Sequence, residues 1–205
     1  MKVFGSTSKK VLLSFGALGV AAGIASLGTF ATFTSTTSAS QTVASGTVTI
    51  ALGSTGAATN RLTVNASNLV PGDTVQRAFD LSNTGSENLA SIALTTTASP
   101  TSLLDSDATS GLQMVIDKCA LPWVETGVSP AFTYTCVPGA SSVIASRGVI
   151  GSGLTMAGLG ALTSGGSDHL RVTLTLPSAT NNTFQGLTST ISYSFLGTQR
   201  AGTNQ

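Results

Sequence analysis

The chain has 205 residues, of which 8% are charged and 41% hydrophobic, with a formal net charge of +1. Three of its nine basic residues (Lys2, Lys9 and Lys10) sit at the start, which leaves no basic surface for a polyanion and excludes a nucleic-acid-binding role. Ser and Thr make up about 30%; with hydrophobic residues this frequent the composition suits strands rather than disorder, and charge this sparse suits contact between copies.

The basic start is followed by an uncharged, mostly apolar run from Val11 to Leu27 and then by Gly28-Thr29-Phe30-Ala31. Small residues stand at the two positions a signal peptidase reads, Thr29 and Ala31. The pattern predicts a signal peptide over residues 1–31, cut between Ala31 and Thr32, with a second candidate site after Ala39. The alternative is an uncleaved anchor, because the run is near the lower length limit for a membrane span; this is the single membrane contact the sequence implies. Either way the bulk of the chain is expected outside the cytoplasm, secreted or at the cell surface. What remains is long enough for one domain with a sizeable core: a flexible Ser/Thr-rich segment over residues 32–45, a β-domain over 46–197 and a polar tail over 198–205.

Within that domain the alternation of polar and apolar residues predicts strands. Thr47 to Leu52 is one, Gly53 to Asn60 a loop of small residues, and Arg61 to Val64 a short strand. Asn68 to Asp73 is a turn, with Pro71 presetting φ and Gly72 free to take positive φ. Thr74 to Asn83 places Val75, Arg77, Phe79 and Leu81 on one face, broken only by Arg77. Asn83-Thr84-Gly85-Ser86 turns the chain into Leu89 to Thr97. Ser99 to Ser110 is a polar loop. Leu112 to Cys119 and Phe132 to Val137 are strands separated by a loop with Pro122, Trp123 and Pro130. In Val143 to Leu162 the residues Leu154, Met156, Leu159 and Leu162 predict a short helix, weakened by Gly158 and Gly160. Asp168 to Leu176 is a strand, Asn181 to Gly186 a turn, and Thr188 to Leu196 a last strand. Seven to nine strands at this spacing, with no long amphipathic helix after the signal, predict an all-β antiparallel sandwich or barrel.

Cys119 and Cys136 are the two cysteines, and in an exported chain the even count reads as a disulfide closing the base of one long excursion; two unpaired thiols are the alternative. Two cysteines alone do not make a zinc site. No Gly-x-Ser-x-Gly elbow is present. Asp105 and Asp107 lack the partners of a calcium loop. Asn65-Ala66-Ser67 and Asn181-Asn182-Thr183 fit the glycosylation sequon. Trp123 reads either as an exposed binding aromatic or as a tryptophan packed beside the disulfide. No cofactor is implied.

The blocks Gly28-Thr29-Phe30-Ala31-Thr32-Phe33, Ala44-Ser45-Gly46-Thr47-Val48, Asn68-Leu69-Val70-Pro71-Gly72-Asp73-Thr74 and Phe79-Asp80-Leu81-Ser82-Asn83-Thr84-Gly85 occur in this order. They are followed by Leu170 to Pro177, Asn182, Gln185-Gly186 and Tyr193 to Phe195. Together they cover about half the chain, and the chain resembles the TasA/camelysin family of exported Gram-positive proteins. The stretch holding Cys119, Trp123 and Cys136 departs from that resemblance. The resemblance implies a jelly-roll β-sandwich, export through a dedicated signal peptidase, and assembly into extracellular matrix fibres or a spore- or cell-surface role. Its partner is a second copy of the chain, or an accessory matrix protein. It further implies that the N-terminal segment after cleavage (Thr32, Phe33, Thr42 and Val43 among its residues) adds as a strand to a neighbouring subunit, satisfying an exposed sheet edge.

Camelysin also carries a metallopeptidase label. A zinc peptidase helix needs two His at i and i+4 with a Glu between them, and this chain has one His, His169, at the start of a strand beside Asp168. The leading expectation is therefore a secreted structural protein. The alternatives are a metal-dependent endopeptidase and a monomeric surface adhesin using Trp123.

Overall fold

The computed structural model describes residues 45–63 and 68–203, and over these the alternation of the sequence becomes antiparallel sheet. A five-stranded sheet runs in the order β1 (Ile50–Leu52), β2 (Thr74–Asn83), β9 (Ser167–Thr175), β4 (Gln113–Cys119) and β7 (Ser141–Gly148). A three-stranded sheet holds β10 (Ile191–Gln199), β3 (Leu89–Ala98) and β8 (Gly151–Thr155). A hairpin, β5 (Val124–Val128) with β6 (Ala131–Thr135), forms a sheet of its own. Helix is confined to one α-turn, α1 (Leu103–Ser106), and two 3-10 turns at Gly160–Leu162 and Asn182–Phe184. The protein is all-β.

The two larger sheets share one core. Phe79 and Leu81 of β2, Leu170 and Val172 of β9, and Met114 and Ile116 of β4 pack with Ile92 and Leu94 of β3. Phe79 meets Phe195 of β10 with ring centroids 5.4 Å apart. Period-two alternation is what directs these residues inward, and burying each large apolar side chain stabilises the fold by about 1.5–3 kcal/mol.

The turn after β2 forms for a local reason. Asn83, buried, accepts the Gly85 N–H at 3.0 Å and donates to the Glu87 carbonyl at 2.9 Å. Gly85 has no room for a side chain, since a Cβ there would lie 2.4 Å from the Thr47 carbonyl oxygen. The segment before β1 is thereby held against this turn, and Thr84 N–H donates to Thr49 at 2.9 Å.

Five expected elements differ, the first being the polar loop expected at Ser99 to Ser110, which contains α1 because Ser102 and Asp105 form a capping box. The strand predicted over Thr47 to Leu52 is regular only at Ile50–Leu52. The strand expected at Arg61 to Val64 is an isolated bridge between Asn60 and Phe79, backed by Arg61 N–H on the Ala78 carbonyl at 2.9 Å; Val64 lies outside the described residues. In place of a helix in Val143 to Leu162 stand β7, β8 and a single 3-10 turn. Gly153 and Gly158 adopt positive φ there, and buried Thr96 donates to the Val149 carbonyl at 2.6 Å and accepts from Gly151 N–H at 2.8 Å, tying the β7–β8 link to β3. The loop expected between Cys119 and Phe132 contains β5.

Candidate functional site

The outer face of the five-stranded sheet carries most of the chain's charge chemistry. Register places His169 between Asp80 and Cys119, and Arg171 between Ala78 and Asp117. His169 Nδ1 lies 2.7 Å from Asp80 Oδ1, and Arg171 donates to Asp117 at 2.8 Å. The β5–β6 hairpin lies over this face, and Cys119 and Cys136 are joined in a disulfide at its base. Phe132 and Tyr134 pack on Ala78, with Trp123 beside them.

Trp123 takes the packed alternative. The Arg171 guanidinium sits 4.4 Å from its ring centroid, and its indole N–H donates to the His169 carbonyl at 3.0 Å. Arg61 binds Glu125 at 2.7 and 3.0 Å, and the Tyr134 hydroxyl donates to the same carboxylate at 2.8 Å. The Arg61 hydrogen bond holds the Glu125 carboxyl below its usual range. Burial, then the bond to Glu125, push the Tyr134 phenol up to about 12. Arg77, which interrupts the apolar face of β2, is buried, with its guanidinium 5.9 Å from the Phe132 centroid; burial lowers its pKa. The guanidinium groups of Arg61, 4.6 Å from the centroid, and of Arg77 thus both lie against the Phe132 ring.

The acidic candidates are engaged in turns. Asp168 faces inward at the start of β9 and accepts the N–H groups of Gly160 (2.9 Å) and Ala161 (2.8 Å), capping the 3-10 turn. Asp105 completes a capping box at α1 with Ser102. Burial pushes its carboxyl up, but hydrogen bonds from Ser189, Thr101 and Ser102 hold it below the usual range. Asp107 accepts from Ser110 and Thr109 N–H, which lower its pKa. Asn181 of the second sequon likewise accepts from Thr183 N–H at 3.0 Å, while Asn65 of the first lies outside the described residues.

On the opposite flank the two sheets stand apart. An open groove of about 290 Å³ separates β1 from β10, lined by Ile50, Ala51, Leu52, Leu81, Tyr193, Ser194 and Phe195. Sequence reasoning placed nothing here, because its two walls are more than a hundred residues apart in the chain. The expected cleavage residues Ala31 and Thr32, and the expected donor residues Thr32, Phe33, Thr42 and Val43, lie outside the described residues.

The fold and these sites define an all-β protein with a disulfide-tied hairpin and an open inter-sheet groove. The chain matches the camelysin metallo-endopeptidase family over residues 7–204 and belongs to that family. No curated protein matches it.

The donor set does not fit the catalytic metal that the family's title implies. Such a zinc site takes three protein ligands, and among the described residues no group of three His, Cys, Asp or Glu side chains is close enough to hold an ion. The remaining residues contain none of these four types. The single His has a carboxylate on Nδ1, and both cysteines are in the disulfide.

Proposed function

We propose that this protein is a secreted structural subunit with a jelly-roll sandwich, which self-associates by strand addition into extracellular matrix or cell-surface fibres. The observation that carries the proposal is β10. It is a nine-residue, uncharged edge strand with no strand paired to its outer side among the described residues. An edge of this kind templates pairing with another chain. Residues 11–60 add a long stretch without one charged side chain.

Strand order supports the jelly roll. In an eight-stranded jelly roll one sheet takes the first, eighth, third and sixth strands, and the other the second, seventh, fourth and fifth. Counted from β2, the order β2-β9-β4-β7 follows the first rule, and β3 beside β8 begins the second. β5 and β6 pair as fourth and fifth strands would, but stand apart, tied down by the disulfide. The test is electron microscopy of the purified mature chain beside a form lacking Thr32 to Ser45. Filaments are expected from the first only; equal filaments from both would sink the strand-addition reading.

A further inference from the structure

Resting on the fibre reading for its setting, we infer that the outward face of the β5–β6 hairpin is a separate contact between copies. It docks face to face on the same hairpin of a subunit in a neighbouring filament, across a two-fold axis.

The hairpin carries its pattern inside out. Glu125, the one charged residue between Cys119 and Cys136, turns inward to Arg61, whereas Val124 and Val128 face solvent, Val128 with 77% of its surface exposed. In β6 Phe132 and Tyr134 are buried, and Ala131, Thr133 and Thr135 are exposed. Register sets Val124 opposite Thr135, Thr126 opposite Thr133 and Val128 opposite Ala131. The Thr126 and Thr133 hydroxyls lie 2.7 Å apart, so the two rows form one face. Leu121 and Val137 stand at its base, close in the chain to the bonded cysteines. Six large apolar side chains among the described residues are more than half exposed, and four of them (Leu121, Val124, Val128 and Val137) belong to this face or its base. An exposed apolar cluster marks a contact surface.

The chemistry of the face selects a second copy. It holds no charge with which to attract an ionic polymer. The three rings of the hairpin, Trp123, Phe132 and Tyr134, pack inward, so none is presented to stack on a sugar or a base. The face does match itself. A two-fold axis running across the strands at the level of Thr126 and Thr133 lays Val124 of one copy over Val128 of the other and sets the threonines against each other. An axis along the strands covers Val124 with Thr135 instead, so apolar burial favours the crosswise axis. Such a contact is isologous. The disulfide, the Trp123 indole bond and the Arg61–Glu125 pair already fix the hairpin on the sheet, so docking has little left to order.

Size explains why the contact belongs between filaments. At about 30 Å² per interface residue, the eight residues of the face and its base bury about 250 Å² per copy, against about 800 Å² in a standard interface. One pair is too small to hold two free subunits. Repeated along two filaments the same contact acts multivalently. Strand addition lengthens a filament; hairpin docking joins filaments side by side.

Crosslinking between filaments tests this. Single-cysteine variants of the mature chain are assembled separately, mixed, and treated with a short bis-maleimide; the native cysteines are bonded to each other and do not react. Positions 124 and 128 are about 13 Å apart along the strand, which makes the pairing readable. Val124→Cys filaments should couple to Val128→Cys filaments, neither should couple alone, and Thr126→Cys filaments should couple to one another. Val124→Lys/Val128→Lys places both charges at exposed positions. It should keep the parent's Tm and critical concentration, and its filaments should lie singly in electron micrographs where the parent's lie side by side. Coupling of Val124→Cys filaments alone as strong as in the mixture, side-by-side filaments of the lysine variant, or single filaments of the parent overturns this docking and leaves the fibre reading intact. If the parent forms no filaments, the fibre reading fails and concentrated soluble chain decides. Coupling of Val124→Cys with Val128→Cys there upholds the face as a weak dimer contact, and its absence overturns the face as well.

Discussion

Replacing both cysteines, Cys119→Ser with Cys136→Ser, probes what the disulfide contributes. The bridge spans a sequence separation of 17, and the chain-entropy relation for a loop of that size gives about 3 kcal/mol at 25 °C. The loss acts through the unfolded chain, which gains conformations, while the native hairpin keeps its other ties. Trp123 stays stacked on Arg171, Glu125 on Arg61, and Phe132 and Tyr134 on Ala78. For a domain of this size about 3 kcal/mol corresponds to a fall in Tm of about 6–12 °C. Urea unfolding followed by the emission of Trp123, the one tryptophan, measures the free energy, and a thermal scan of the same signal measures the fall in Tm. The native emission should match that of the parent, with the midpoint moved to lower urea. A loss below about 1 kcal/mol would refute the entropic reasoning, and a red-shifted native emission would show that the bridge, not packing, holds the hairpin down.

Leu94→Ala empties a fully buried position between the sheets and should cost about 2–5 kcal/mol in urea unfolding. Asp168→Ala leaves the N–H groups of Gly160 and Ala161 without their acceptor, and should cost about 1–3 kcal/mol by the same assay. The carboxyls of Glu125, Asp105 and Asp107 are all held below their ordinary range in the fold. Their contribution is therefore complete above the unfolded carboxylate range and is lost as pH falls through the lowered folded values. Tm should fall as pH drops below about 4, and more shallowly in Glu125→Gln. Casein incubated with the purified chain should show no chelator-sensitive cleavage, and His169→Ala should change nothing; cleavage lost on either treatment would restore a metal reading.

Strands whose buried residues alternate were legible in the sequence. β2, β3 and β9 run Phe79-x-Leu81, Ile92-x-Leu94 and Leu170-x-Val172, each pair almost fully buried. β7 hid because its buried residues, Val143 and Ile144, are adjacent rather than alternate, a consequence of the register shifts against β4. β5 hid because the side chains of Val124, Thr126 and Val128 all face outward and only Glu125 turns in, toward Arg61. The polar chemistry was partly legible. The sequence showed a single His and too few ligands for zinc, but not that Asp80 comes from a strand 89 positions away to meet it.

By itself, then, the sequence determined the all-β class, an even cysteine count that favoured a disulfide over two free thiols, and the absence of a zinc-peptidase helix motif, because composition, count and period two are local properties that need no partner. Tertiary structure alone decided where the hairpin lies, which edges are blunted and where the sheets part. The groove exists because Ile50–Leu52 ends one sheet and Tyr193–Phe195 ends the other. That adjacency follows from how strands far apart in the chain are ordered within each sheet, and no window of sequence encodes it.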